Sequence, residues 1–145
     1  MAPLQLDSYA FSKLCVEVNR EHKPNAVALK VALNIQGGFG IIEQDETKRL
    51  LTLKISELRP AEGEDGTLPY TIELEVIGQF SILDPQYQDK EKLVRVNGTS
   101  ILYSAAREQI LTITGRCLFG PYQLPTVNFQ ELTVTGPGIS DELQV

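Results

Sequence analysis

The feature that most constrains this chain is a change of period. Over its first half, apolar side chains recur at every second position. In 26–35, Val27, Leu29, Val31, Leu33 and Ile35 point one way and Ala28, Lys30, Ala32 and Asn34 the other. Leu51, Leu53 and Ile55 repeat the pattern, as do Tyr70, Ile72, Leu74 and Val76. A period of two puts alternate residues on one face of a strand, so each segment predicts a half-buried strand. The first segment alternates through Tyr9 and Phe11 and then through Leu14, Val16 and Val18, and its parity slips between Phe11 and Leu14. A slip of one residue would turn the apolar set to solvent, so a bulge is expected there. Four antiparallel strands follow, each with one apolar and one polar face.

Beyond the fourth strand the period becomes helical. Asp84-Pro85 predicts a helix start, with a short helix over 85–93. Ser100 is placed to cap a longer helix running to Gly115, with Leu102, Ala106, Ile110 and Ile113 on one stripe and Ile101, Ala105 and Leu111 beside it. That arc is wider than one sheet needs, and Ala105 and Ala106 allow close approach. Ile101, Leu102, Ala105 and Ala106 are therefore the expected helix–helix seam of a self-associating protein. The fold class is α+β: a four-stranded antiparallel sheet followed by a long helix. Residues 1–135 make one domain, and 136–145 a short flexible acidic tail.

Two segments carry more apolar surface than their surroundings explain. Gln36 to Lys48 is expected to be the longest connection, with Phe39, Ile41 and Ile42 among Gly37, Gly38 and Gly40. After the helix, Leu118, Phe119, Tyr122, Leu124, Val127 and Phe129 run through Pro121 and Pro125. A connection this apolar either packs across the sheet or lines a binding surface.

Catalytic chemistry is poorly represented. His22 is the only histidine and reads as a solvated loop residue, although a general base there stays open. One histidine with two distant cysteines, Cys15 and Cys117, cannot form the usual zinc site. The glycines of 36–40 lack the Lys-Ser/Thr of a phosphate loop, and Ser81, Ser100 and Ser104 lack the strained context of a nucleophile elbow. No enzyme, metal or cofactor is expected. A net charge of −6 argues against nucleic acid, and no apolar run reaches the roughly 20 residues of a membrane helix. Met1 to Gln5 carries no charged or apolar leader, so a cytoplasmic protein is expected.

Residues 97–132 resemble the SecB protein-export chaperone family. The family's Ile-Leu-aromatic and Arg-Glu helix core is matched by Ile101, Leu102, Tyr103, Arg107 and Glu108, and its helix end loosely by Thr114-Gly115-Arg116. Its loop pattern is matched by Phe119, Pro121, Leu124, Pro125, Val127, Asn128 and Phe129, and Gly78-Gln79-Phe80-Ser81-Ile82 is similar to its fourth strand end. The resemblance implies a dimer of dimers that holds non-native polypeptides without ATP. It implies a client groove, for which Phe39, Ile41, Ile42, Phe80, Leu118, Phe119 and Tyr122 are the candidates; ordinary core packing would account for each singly. It also implies docking to the SecA motor through outer-sheet acids, here Glu17 and Glu73. Lys13 and Thr71 depart from the family pattern on that face, and the chain after Phe129 is short and broken by Gly and Pro. The clients are therefore either preproteins for export or the antitoxin of a toxin–antitoxin–chaperone module. A hot-dog-like acyl-ligand binder or enzyme is the alternative, although that fold places its helix before most strands.

Overall fold

In the computed structural model, the structure describes residues 3–24, 28–129 and 138–144, the last as backbone. The expected strands are found as β1 (Leu4–Val18), β2 (Val31–Ile41), β3 (Lys48–Pro60) and β4 (Tyr70–Ile82); the second begins later than the 26–35 alternation implies, with Ala28 to Lys30 outside it and Ala26 and Val27 outside the described residues. A fifth, β5 (Gly138–Gln144), completes an antiparallel sheet in the order β1-β4-β3-β2-β5. The alternation does what its period requires. Leu33, Ile35, Leu51, Leu53, Ile55, Ile72, Leu74 and Val76 are all buried on one side of the sheet.

The parity slip of β1 is a bulge between Phe11 and Lys13, and a second lies between Leu6 and Ser8. The second has an electrostatic use. Asp7 accepts hydrogen bonds from the Ser81 hydroxyl (2.5 Å) and the Lys48 ammonium (3.1 Å). Those bonds, Ser81 foremost, hold the Asp7 carboxyl below its usual range.

Three expectations about the connections are corrected. The glycine-rich segment is not a crossover: Gln36 to Ile41 continue β2 and pair with Arg49 to Lys54 of β3. Glycine disfavours strands by its entropy, but the ladder on β3 outweighs that preference here. The true connection is a tight turn over 42–47, in which Asp45 accepts from the Thr47 backbone and hydroxyl. The helix starts later than Pro85. Asp89, at φ 54°, accepts from the Lys92 amide and caps α1 (Lys90–Lys92), which continues through a π-helical stretch (Leu93–Gly98) into α2 (Thr99–Thr114). Ser100 therefore caps nothing. The widened π turn faces Leu93, Val94, Arg95, Val96 and Gly98 inward, more of one turn than an α-helix could bury. Finally, 138–144 of the expected flexible tail are a strand. Their backbone finds its partners on the edge of β2.

Leu102, Ala106 and Ile110 press on the sheet. Beyond Gly115 the chain returns in extended form along the rod. Leu124 and Phe129 are buried, the Tyr103 hydroxyl donates to the Pro125 carbonyl (2.6 Å), and Arg107 donates to the Leu124 carbonyl (3.1 Å). Burial raises the Tyr103 pKa strongly. The helix follows four strands, the reverse of the hot-dog order.

Candidate functional site

The seven groove candidates do not form one surface. Phe39 and Ile41 lie near the far end of β2, while Phe119 and Tyr122 pack against Tyr70 at the start of β4, beside the opposite end of β2. From Val31 to Ile41 is about 33 Å at roughly 3.3 Å per residue. Phe80 is withdrawn from the set: it is 0% exposed, packed under Gly78 and Gly98, and belongs to the core. At the first end, Phe39 is half-buried beneath the Arg95 guanidinium, 4.5 Å from its ring centroid, while Ile41 is exposed and Ile42 half-buried. Arg95 is itself buried, so its charge is offset by the aromatic face and by Glu91, 4.0 Å away.

The second end is more open. A cleft of about 480 Å³ is lined by His22, Pro24, Ala28 and Leu29 from the β1–β2 connection, Val31, Thr67 to Pro69 from the turn before β4, and Tyr122, Gln123 and Pro125 from the extended segment. Its walls are fixed by polar contacts. The Tyr70 hydroxyl donates to the Gly120 carbonyl (2.7 Å) and accepts from the Phe119 amide (3.0 Å), pinning the segment to the sheet. The Tyr122 amide donates to the Thr114 hydroxyl (2.8 Å). His22 is not a solvated loop residue: its Nδ1 lies 2.8 Å from the Thr67 hydroxyl and its ring meets Phe119 edge-on at 4.9 Å. It serves as a wall. Burial raises the Tyr122 pKa, so the phenol stays neutral and offers a half-apolar surface to the cleft. Leu118, 72% exposed, stands on the same segment.

Prolines, apolar side chains and the His22 and Tyr122 rings make this cleft suited to apolar side chains presented by an extended chain. Sequence reasoning found Tyr122 but missed Leu29, Leu68 and Pro69. The signal was present: Pro69 and Pro125 each stiffen a non-helical segment carrying an apolar neighbour.

The remaining candidates divide as well. Leu102 and Ala106 are consumed by the core, whereas Ile101 and Ala105 stay half-exposed on the flank of α2. Glu17 is exposed on β1, but Glu73 is bound to Lys13 at 2.8 Å, which holds its pKa down and neutralises its charge. Half of the docking pair is thus already engaged within the sheet. Among the described residues no helix is long and apolar enough to cross a membrane.

A four-stranded core sheet whose last strand leads into one long helix, followed by an extended segment laid back over the rod, is the fold of the SecB-like chaperones. Among the solved structures it matches is the Mycobacterium tuberculosis SecB-like chaperone Rv1957 in complex with a ChAD peptide from the Rv1956 HigA1 antitoxin. The two share a TM-score of 0.63 and 19% identity over 87% of this chain and 91% of that one. No protein-family model and no curated protein matches the sequence.

Proposed function

We propose that this protein is an ATP-independent holdase that captures extended apolar segments of non-native polypeptides in the cleft between His22, Leu29, Pro69 and Tyr122. One observation carries the reading: on a SecB-like fold, a recess of about 480 Å³ is apolar-walled and framed by a segment pinned through hydrogen bonds to Tyr70 and Thr114. Burial of apolar area at about 25 cal/mol per Å² is enough to hold a client reversibly.

Of the two expected roles, guarding an antitoxin has the better support, because the solved relative in fold is in complex with an antitoxin peptide. Delivery of preproteins to SecA through Glu17 and Glu73 has less, with Glu73 already paired.

Assembly as a dimer of dimers draws support from apolar surface left open on the helix side of β1, at Tyr9 and Leu14, and from Ile101 and Ala105 on α2. A protein with such surfaces is kept soluble by its net charge of −6.

The test is suppression of aggregation of a chemically unfolded substrate, without nucleotide, alongside mass by light scattering. Tyr122→Asp and Leu29→Asp are expected to weaken capture at unchanged mass, and Ile41→Asp to weaken it less. Unchanged capture by both cleft variants would overturn the assignment of the cleft. Leu14→Asp is expected to lower the mass and leave the subunit folded.

A further inference from the structure

The two edges of the sheet are built differently. The β1 edge is interrupted by bulges at Asp7 and Ser12, and bulges blunt an edge against pairing with another chain. The edge of β2 has a single irregularity, on its β3 side between Ala32 and Asn34. It pairs with β5 through seven consecutive residues, Ala32↔Gln144 to Gly38↔Gly138, without a register shift. The strand that covers it is poorly composed for pairing. Gly-Ile-Ser-Asp-Glu-Leu-Gln holds no aromatic or β-branched residue except Ile139, and Gly, Asp and Glu are depleted in strands. Beneath it β2 is fixed, with Leu33 and Ile35 fully buried. An edge anchored by its buried side chains and paired along seven residues is thus capped by a poor strand.

We propose that the β2 edge is a second polypeptide-binding element, which takes an extended, β-prone client segment by strand addition, and that residues 138–144 are its built-in competitor. The occupant is an unfolded chain rich in Val, Ile and Thr, because it supplies the same main-chain bonds as β5 and a better pleated fit. With the edge empty, β2 would expose a row of unpaired amides and carbonyls to every neighbouring chain. β5 closes that row between clients and yields to a better strand. The proposal rests on the holdase reading, since it names a mode of capture for the same clients.

The test uses the full chain and a fluorescein-labelled peptide of about ten alternating Val and Thr residues, long enough for one strand. Ser140→Pro with Asp141→Pro removes two adjacent amide donors, one of which faces β2 whatever the pairing parity. Anisotropy is expected to show roughly tenfold tighter binding, as the open fraction of the edge rises from about a tenth toward one. Asp141→Val with Glu142→Thr, which strengthens β5, is expected to weaken binding. In the proline variant, added peptide is expected to slow hydrogen exchange at those amides of 32–38 that face away from β3. Affinity unmoved by either variant, or binding that leaves those amides unprotected, overturns the proposal. Aggregation suppression separates the two readings. If suppression is intact and the 32–38 amides stay unprotected, only the edge falls; if protection is intact and suppression is absent, only the holdase falls.

Discussion

Leu14 and Leu74 face one another across the β1–β4 ladder, on the same side of the sheet, and both belong to runs that alternate equally well. Leu74 is 0% exposed and Leu14 39%. The difference comes from the rod that crosses the sheet. α2 and the π-helical stretch lie over β3 and β4 and reach only part of β1, so Leu4 is buried while Tyr9 and Leu14 are left at the margin. Periodicity encodes which face a side chain takes. Whether anything covers that face is decided by an element far away in the chain.

The largest expected effect separates the two leucines directly. Leu74→Ala leaves a cavity with no route to collapse and is expected to cost about 2–5 kcal/mol in urea unfolding. Leu14→Ala is expected to cost below about 1 kcal/mol at concentrations where the subunit is alone, and more where it is assembled. A cost that stays small at every concentration would mean that no second subunit covers the β1 row.

Next comes Gly78, which sits opposite Tyr9 in the ladder. A Cβ there would stand 2.7 Å from a methyl of Leu102 and 3.0 Å from the Phe80 ring. Gly78→Ala is therefore expected to destabilise by about 1–3 kcal/mol through overpacking. On the other face, a Cβ at Gly40 meets only Leu50 at an ordinary 3.6 Å, so Gly40→Ala is expected to be neutral or to stabilise by up to about 1 kcal/mol. Thermal melts of the two variants compare inner and outer faces at equal chemistry.

The smallest expected effect is a pH dependence. The folded pKa of Asp7 is lowered, so its contribution is fully present above the unfolded value of about 3.9 and is lost as pH falls through the folded value. Stability measured from neutral pH down to that range is expected to fall less steeply in Asp7→Asn than in the parent. Identical slopes would show that Ser81 and Lys48 do not hold the charge.

Much of this architecture was legible because burial writes itself into a period. The strands through Leu53 and Leu74, the stripe of Leu102, Ala106 and Ile110, and the slip in β1 could all be read directly. Gln36 to Ile41 could not be read as strand, since glycine carries no side chain to show an alternation and only the β3 ladder reveals it. β5 was invisible for a related reason: Gly138, Ser140 and Asp141 favour turns, and its partner is a hundred or more positions away. The cleft was half legible. Tyr122 stood out as an aromatic among prolines, but His22, Leu29 and Pro69 come from separate turns that only the fold brings together. Phe80 misled because a motif marks that a residue matters without saying whether it faces in or out.

The clamp between Tyr70, Phe119 and Tyr122 has an optical consequence. The chain has no tryptophan, and two of its five tyrosines are fixed at this cleft. Their emission therefore stands free of indole background, and a guest carrying one tryptophan would accept their excitation when seated beside them. Such a protein carries its own light source for timing the arrival and departure of each guest, without any label on the host.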